Sequence, residues 1–274
     1  MSALDTVTEA RLSGAVLTRT RPARPGTVTA SLAFGRRALL KIRRTPVQIF
    51  DIAVHPVVFT VMFTYLFGGA VGGSTGEYAG HLVPGILVMT LLVTTGTTGA
   101  ALSIDLASGA FDRYRTLSIR PAAPLIGAML GDAVRYALAS AVVIGLGLAL
   151  GFRPDGNALG VTAAVLLVVL FSISLSWLWT TLALVMRSPG AVLGLTQALL
   201  YPLSLFSNIF VDPATLPGWL RAFVDVNPVT HLVTATRDLM SGGTPGGQVA
   251  WLLLACTALT TIFGPLSVRL LHTR

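Results

Sequence analysis

The sequence predicts an all-α integral membrane protein: six transmembrane helices, a cytoplasmic amphipathic interfacial helix ahead of the first, and a short extracellular helical hairpin between the fifth and sixth. Three observations carry that reading. Hydrophobic residues make up 53% of the 274 and charged residues only 11%, which is too little polar material to cover a water-soluble core of this length but suits a bundle solvated by lipid. Six apolar stretches approach the roughly 20 residues that a bilayer crossing needs, and each should be helical, because lipid offers no partner to backbone polar groups. Alternating their direction from a cytoplasmic start leaves only Arg153, Arg221 and Arg237, of 19 Lys and Arg residues, in outer segments. This is the positive-inside asymmetry, and it places both termini in the cytoplasm.

Residues 1–28, rich in Ser, Thr, Pro and Arg, read as a flexible cytoplasmic tail, and no run of the signal-peptide kind precedes about Asp51. Residues 31–45 read as the interfacial helix. On a helical wheel Phe34, Ala38, Leu39 and Ile42 share one arc and Arg36, Arg37, Lys41, Arg43 and Arg44 the opposite one. The apolar side should face lipid, with Thr45-Pro46 ending the helix. The spans then fall at 52–71, 82–104, 125–150, 159–186, 191–211 and 249–271. Residues 212–243 form the outer hairpin, two amphipathic helices dipping into the outer interface. Asn227 is the N-cap of the second, and Pro228 its first helical residue.

Between the second and third spans, residues 105–121 read DLASGAFDRYRTLSIRP. Gly109 breaks the preceding helix. The mixed charges and aromatic residues that follow suit docking into a groove of another protein better than catalysis; the other reading is a solvated loop obeying the positive-inside bias. Three GxxxG pairs, Gly127 with Gly131, Gly147 with Gly151 and Gly190 with Gly194, allow close helix approach, equally within a subunit or between subunits. Asp132 and Arg135, placed one or two turns into the third span, lie three apart on one helical face and can neutralise each other. Hydroxyl and amide side chains deep in the spans are chiefly interhelical bonding groups. Among their neighbours Phe171, Gln197, Tyr201 and Phe206 are the candidates for contact with a bulky, partly apolar cargo.

Several chemistries are excluded. Lys41 is the only lysine and has no glycine-rich loop around it, so the GxxxxGK[ST] phosphate cradle is absent and this chain binds no ATP of its own. His55, His81, His231 and His272 are scattered, without metal-ligand spacing, so no metal is expected. Cys256 is alone, which rules out a disulfide framework. The surplus of eight positive charges flanks apolar spans rather than a soluble domain, which fits anionic lipid headgroups and not nucleic acid.

The segments FTYLFGGAVGGSTGEY, LVPGILVMT, GAFDRYRTLSIRPAAPLIGAMLGDAVRY, GFRPDG, LSWLWTTLALVMRSPGAVLG and PLSLFSNIFVDPATLPGWLRAFVDVNPVTHLV together resemble the membrane subunit of type-2 ABC exporters, in particular the actinobacterial daunorubicin/doxorubicin-resistance permeases. The resemblance covers nearly everything after the tail. It implies a permease of the bacterial plasma membrane that pairs with a second copy and with two separately encoded ATPase subunits, which would hold ATP and Mg, and that exports an amphiphilic drug. It implies that the basic interfacial helix is a connecting helix. It also implies that residues 105–120 carry the coupling helix, with Asp105, Gly109, Phe111, Asp112, Arg113, Tyr114 and Arg115 at the ATPase. The family often has a glutamate where Asp105 stands. Rival expectations are export of a lipid or polysaccharide through the same architecture, and an ion-coupled carrier.

Overall fold

The computed structural model describes residues 26–44, 54, 56–65, 75–109, 122–186, 188–210 and 216–273. Among them every regular element is helical. In chain order these are α1 (Thr27–Arg44), α2 (Pro56–Tyr65), α3 (Thr75–Ala107), α4 (Ala122–Ala149), α5 (Ala158–Val185), α6 (Pro189–Leu205), α7 (Gly218–Val226), α8 (Pro228–Met240) and α9 (Gln248–Thr273). Four of them, α3, α4, α5 and α9, are long and apolar enough to cross a membrane. The stretch expected to span at 191–211 holds the 17-residue α6, which ends at Leu205 in turns. Of the stretch at 52–71, the described helix is Pro56–Tyr65.

Helix α3 is the centre of the bundle, with α4, α5, α6 and α8 packed around it. Its surface is notched by glycine. A Cβ on Gly85 would meet Ile209, one on Gly96 would meet the Thr196 methyl, and one on Gly99 would lie 2.9 Å from the Trp179 carbonyl oxygen. Such notches matter because helices in lipid gain little from apolar burial and must associate by close packing and hydrogen bonds. The main core gathers Leu82, Ile86, Leu91, Tyr136, Val168 and Trp179 with neighbours from α8 and α9. A smaller cluster, Leu102, Leu125, Ala183, Leu184, Val192 and Leu271, closes the end of the bundle at which α3 stops.

The glycine pairs divide the work. Gly127 and Gly131 hold α1: added Cβ atoms there would collide with Phe34 and Ala38, and Gly35 of α1 faces Leu130 in return. The pair therefore serves a contact within one chain. This corrects the expectation for α1, because Phe34 and Ala38 of its apolar arc are seated on α4 rather than in lipid, while Arg36 and Arg37 remain exposed. The side chains of Lys41, Arg43 and Arg44 lie outside the described residues. Gly147 fits against the Val83 methyls. Gly151, at φ 100°, ends α4 in a Schellman arrangement, with Phe152 N–H donating to Gly147 O at 2.9 Å and Gly151 N–H to Leu148 O at 3.3 Å. Among the described residues, Gly194 has no neighbour within 4 Å and Gly190 only Ser188 Oγ, at 3.9 Å.

The hairpin departs from expectation in one helix. α7 is largely exposed, Trp219, Phe223 and Val226 included. α8 is instead part of the core, burying Val229, Leu232, Val233, Ala235 and Met240. Asn227 caps it, its Oδ1 accepting from Val229 N–H at 2.9 Å, and Pro228 is its first residue.

Candidate functional site

Two regions carry the chemistry. The first is the connection from α3 to α4. Gly109 closes α3 with a positive φ of 69°, a conformation in which a side chain costs about 1 kcal/mol or more. Gly109 N–H donates to Leu106 O at 3.2 Å, and Ser108 Oγ donates to Asp105 O at 2.9 Å. Asp105 is half-buried at the edge of the bundle. Phe111, Asp112, Arg113, Tyr114 and Arg115 lie outside the described residues.

The second is a polar network inside the bundle, where α3, α4 and α5 meet. Arg135 Nη2 pairs with Asp132 Oδ1 at 3.0 Å, so the neutralisation read from their spacing is present. The helix that carries the pair starts earlier than the expected residue 125. α4 begins at Ala122, ten residues before Asp132, which at about 1.5 Å per residue puts the carboxylate about 15 Å along the helix. Thr98 and Ser176 each stand nine residues from their helix ends, Ala107 and Val185, and so occupy the same layer.

The remaining carboxylate oxygen, Asp132 Oδ2, accepts from Thr98 Oγ1 at 2.8 Å. Arg135 Nη2 also reaches Thr98 Oγ1 at 3.3 Å and Thr94 O at 3.4 Å. Tyr136 OH lies 2.8 Å from Ser176 Oγ and 3.3 Å from Thr98 Oγ1. Ser176 gives its own proton to Ser172 O at 2.8 Å, so the phenol donates to Ser176. Trp179 Nε1 donates to Thr95 Oγ1 at 2.9 Å, closing the third side of the triangle. The charges offset each other and nearly every polar atom has a partner, which is what lets such groups sit in an apolar bundle. The Arg135 Nε is the exception. Tyr136 has one signal in the sequence, a phenol beside an Asp-x-x-Arg pair within an apolar stretch.

The candidate cargo residues are not gathered in one place. Phe171 is buried in the main core, and Tyr201 packs against that core from α6. Gln197 lies beside Gly96 with its Oε1 buried and without a partner. Phe206 is exposed at the end of α6, edge-on to Phe223 of α7 with ring centroids 6.2 Å apart.

At that same end a basic residue is explained. Arg237 of α8 donates to Asn208 O at 2.8 Å, Ile209 O at 3.3 Å and His81 O at 3.1 Å. Asn227 Nδ2 donates to Leu203 O at 2.7 Å and Phe206 O at 2.8 Å. Apart from His81 O, which belongs to α3, these are carbonyls at and just beyond the end of α6 that the helix leaves open.

A helix bundle built around a buried, charge-compensated polar network, with its apolar outer faces uncovered, is that of a polytopic membrane protein. The sequence profile of the ABC-2 type transporter family matches residues 29–241, and the chain belongs to that family. It is similar to the daunorubicin resistance ABC transporter permease protein DrrB1 of Streptomyces coeruleorubidus, with 42% identity over 250 residues, 91% of this chain and 88% of the relative. It is also similar to the probable doxorubicin resistance ABC transporter permease protein DrrC of Mycobacterium tuberculosis, at 29% identity over 54% of each chain. The doxorubicin resistance ABC transporter permease protein DrrB of the same organism is 24% identical over 67% of this chain and 63% of the relative. The protein is thus an ABC transporter permease, and that role implies an ABC ATPase partner.

Proposed function

We propose that this permease exports an amphiphilic drug of the anthracycline kind, in an assembly of two permease copies and two separate ATPase subunits. The observation that carries the reading is the 42% identity to a daunorubicin resistance permease over almost the whole chain. In this reading α2 and α6 belong to the first and fifth of six spans, the end of α3 at Gly109 faces the cytoplasm, and the α7–α8 hairpin lies outside. The positive-inside asymmetry supports that orientation, and the bonding of Arg237 to backbone carbonyls accounts for one of its few exceptions. ATP-driven closure of the ATPases pushes on residues 105–121, with Asp112 and Arg113 at the contact, and biases the bundle from inward-open to outward-open. The buried Gln197 Oε1, which has no partner among the described residues, and, apart from it, Phe171 and Tyr201 are proposed to meet cargo at successive points of its passage, and Phe206 stands at the outer end.

The test is transport into inside-out proteoliposomes that hold the permease and its ATPase. Daunorubicin should accumulate only with ATP and both proteins, and Asp112→Arg with Arg113→Asp should abolish uptake or ATPase binding. Uptake that persists without the ATPase would instead favour an ion-coupled carrier, and ATP hydrolysis stimulated by lipid but not by drug would reassign the cargo.

A further inference from the structure

We propose that Asp132, Arg135 and Tyr136, with Thr98 and Ser176, are positioning residues that clamp α3, α4 and α5 into one unit, so that force entering through residues 105–121 is delivered to α5. The inference rests on the ATP-driven reading above for the origin of that force, but not for the clamp itself.

Placement comes first. The segment between α3 and α4 is continuous in the chain with those two helices, and the network is where both are tied to a third. Each side of the triangle has its own bond: Thr98 to Asp132 for α3 and α4, Tyr136 to Ser176 for α4 and α5, and Trp179 to Thr95 for α3 and α5. The layer lies about 14 Å from the helix ends next to that segment, at about 1.5 Å per residue. A displacement applied there acts on three helices together. α5 then carries α9, through Thr181 and Ser267 at 2.8 Å and through Thr260 and Ser174 at 3.3 Å.

The chemistry comes second. Among the described residues, α6 meets α3 without a side-chain hydrogen bond; Thr196 fills the Gly96 notch and Val192 the one at Gly99. A van der Waals contact can slide, whereas separating the triangle would leave an ion pair, a phenol and an indole N–H short of partners in an apolar medium. The unit formed by α3, α4 and α5 is therefore the body that moves as one, and the surface toward α6 around Val192 and Thr196 is where slip occurs, while the far end of α6 stays fastened to α3 through Arg237.

The test uses the full-length permease in nanodiscs in a Cys256→Ala background. Spin labels at Ala128→Cys and Val185→Cys, both on exposed positions, report the α4–α5 distance. A narrow distribution is expected, broadened by Tyr136→Phe and by Ser176→Ala and narrowed again by Ser176→Thr; equal widths in all variants would overturn the clamp. With the ATPase present, Tyr136→Phe should keep ATPase association but lower daunorubicin transported per ATP hydrolysed by about threefold or more, a size typical of lost coupling. An unchanged ratio would also overturn it. Failure of the native permease to bind the ATPase would count against the proposed function alone, since the distance widths are measured without it.

Discussion

Helices α3 and α9 satisfy the same criteria of length and apolar composition, yet 83% of the most apolar stretch of α3 is buried inside the protein and 17% of that of α9. The difference is in what interrupts the apolar residues. α3 carries Gly85, Gly96 and Gly99 where neighbours come closest, and Thr95 and Thr98 where they bond. α9 packs mainly on α5 and turns Trp251, Leu253, Leu254, Ile262 and Leu266 outward. Its Thr257 and Thr261 bond only to carbonyls of their own helix. Hydropathy finds a crossing helix, while small and hydroxyl residues facing several sides mark one that neighbours surround.

Paired substitutions sharpen the contrast. The largest effect is expected for Asp132→Ala, which strands Arg135 against α3; loss of about 3–5 kcal/mol is typical when one partner of a buried pair is removed. Arg269→Ala, at the exposed charge of α9, should leave stability unchanged. Unfolding of the purified protein in mild detergent measures both. Next, Leu91→Ala opens a cavity at a fully buried position and should cost about 2–4 kcal/mol. Leu254→Ala, where the side chain is 70% exposed, should shift the same transition by about 0.5 kcal/mol or less. A similar cost for both leucines would break the distinction between the two helices.

The smallest contrast is between glycines. An alanine methyl at Gly99 would lie 2.9 Å from the Trp179 carbonyl oxygen, whereas at Gly264 its nearest neighbour is Trp177 at 4.0 Å. Gly99→Ala should therefore destabilise by about 1–3 kcal/mol through overpacking. Gly264→Ala should be neutral or gain up to about 1 kcal/mol from helix propensity. Thermal midpoints of the two variants compare them directly.

Local signals were legible. Asn227-Pro228 announced the start of α8, Gly109 announced the end of α3, and the spacing of Asp132 and Arg135 announced their pairing. What remained hidden depends on partners far away in the chain. Gly127 and Gly131 declared a close contact but not that α1, some ninety residues earlier, fills it; the complementary stripe Ser31, Gly35 and Ala38 was the available clue. The start of α4 at Ala122, nearly a turn before the expected residue 125, could not be read because Ala122 and Ala123 carry no capping signal. The burial of α8 could not be read because its amphipathic pattern serves a protein core and a lipid interface equally well.

Cysteine accessibility to a lipid-soluble thiol probe tests the central contrast most directly. In the Cys256→Ala background, single cysteines at Leu82, Leu87 and Leu91 of α3 should resist labelling, while those at Leu254, Ile262 and Leu266 of α9 should react. Labelling of the α3 positions as fast as those of α9 would contradict the account, because a helix surrounded by four neighbours cannot present that face to lipid.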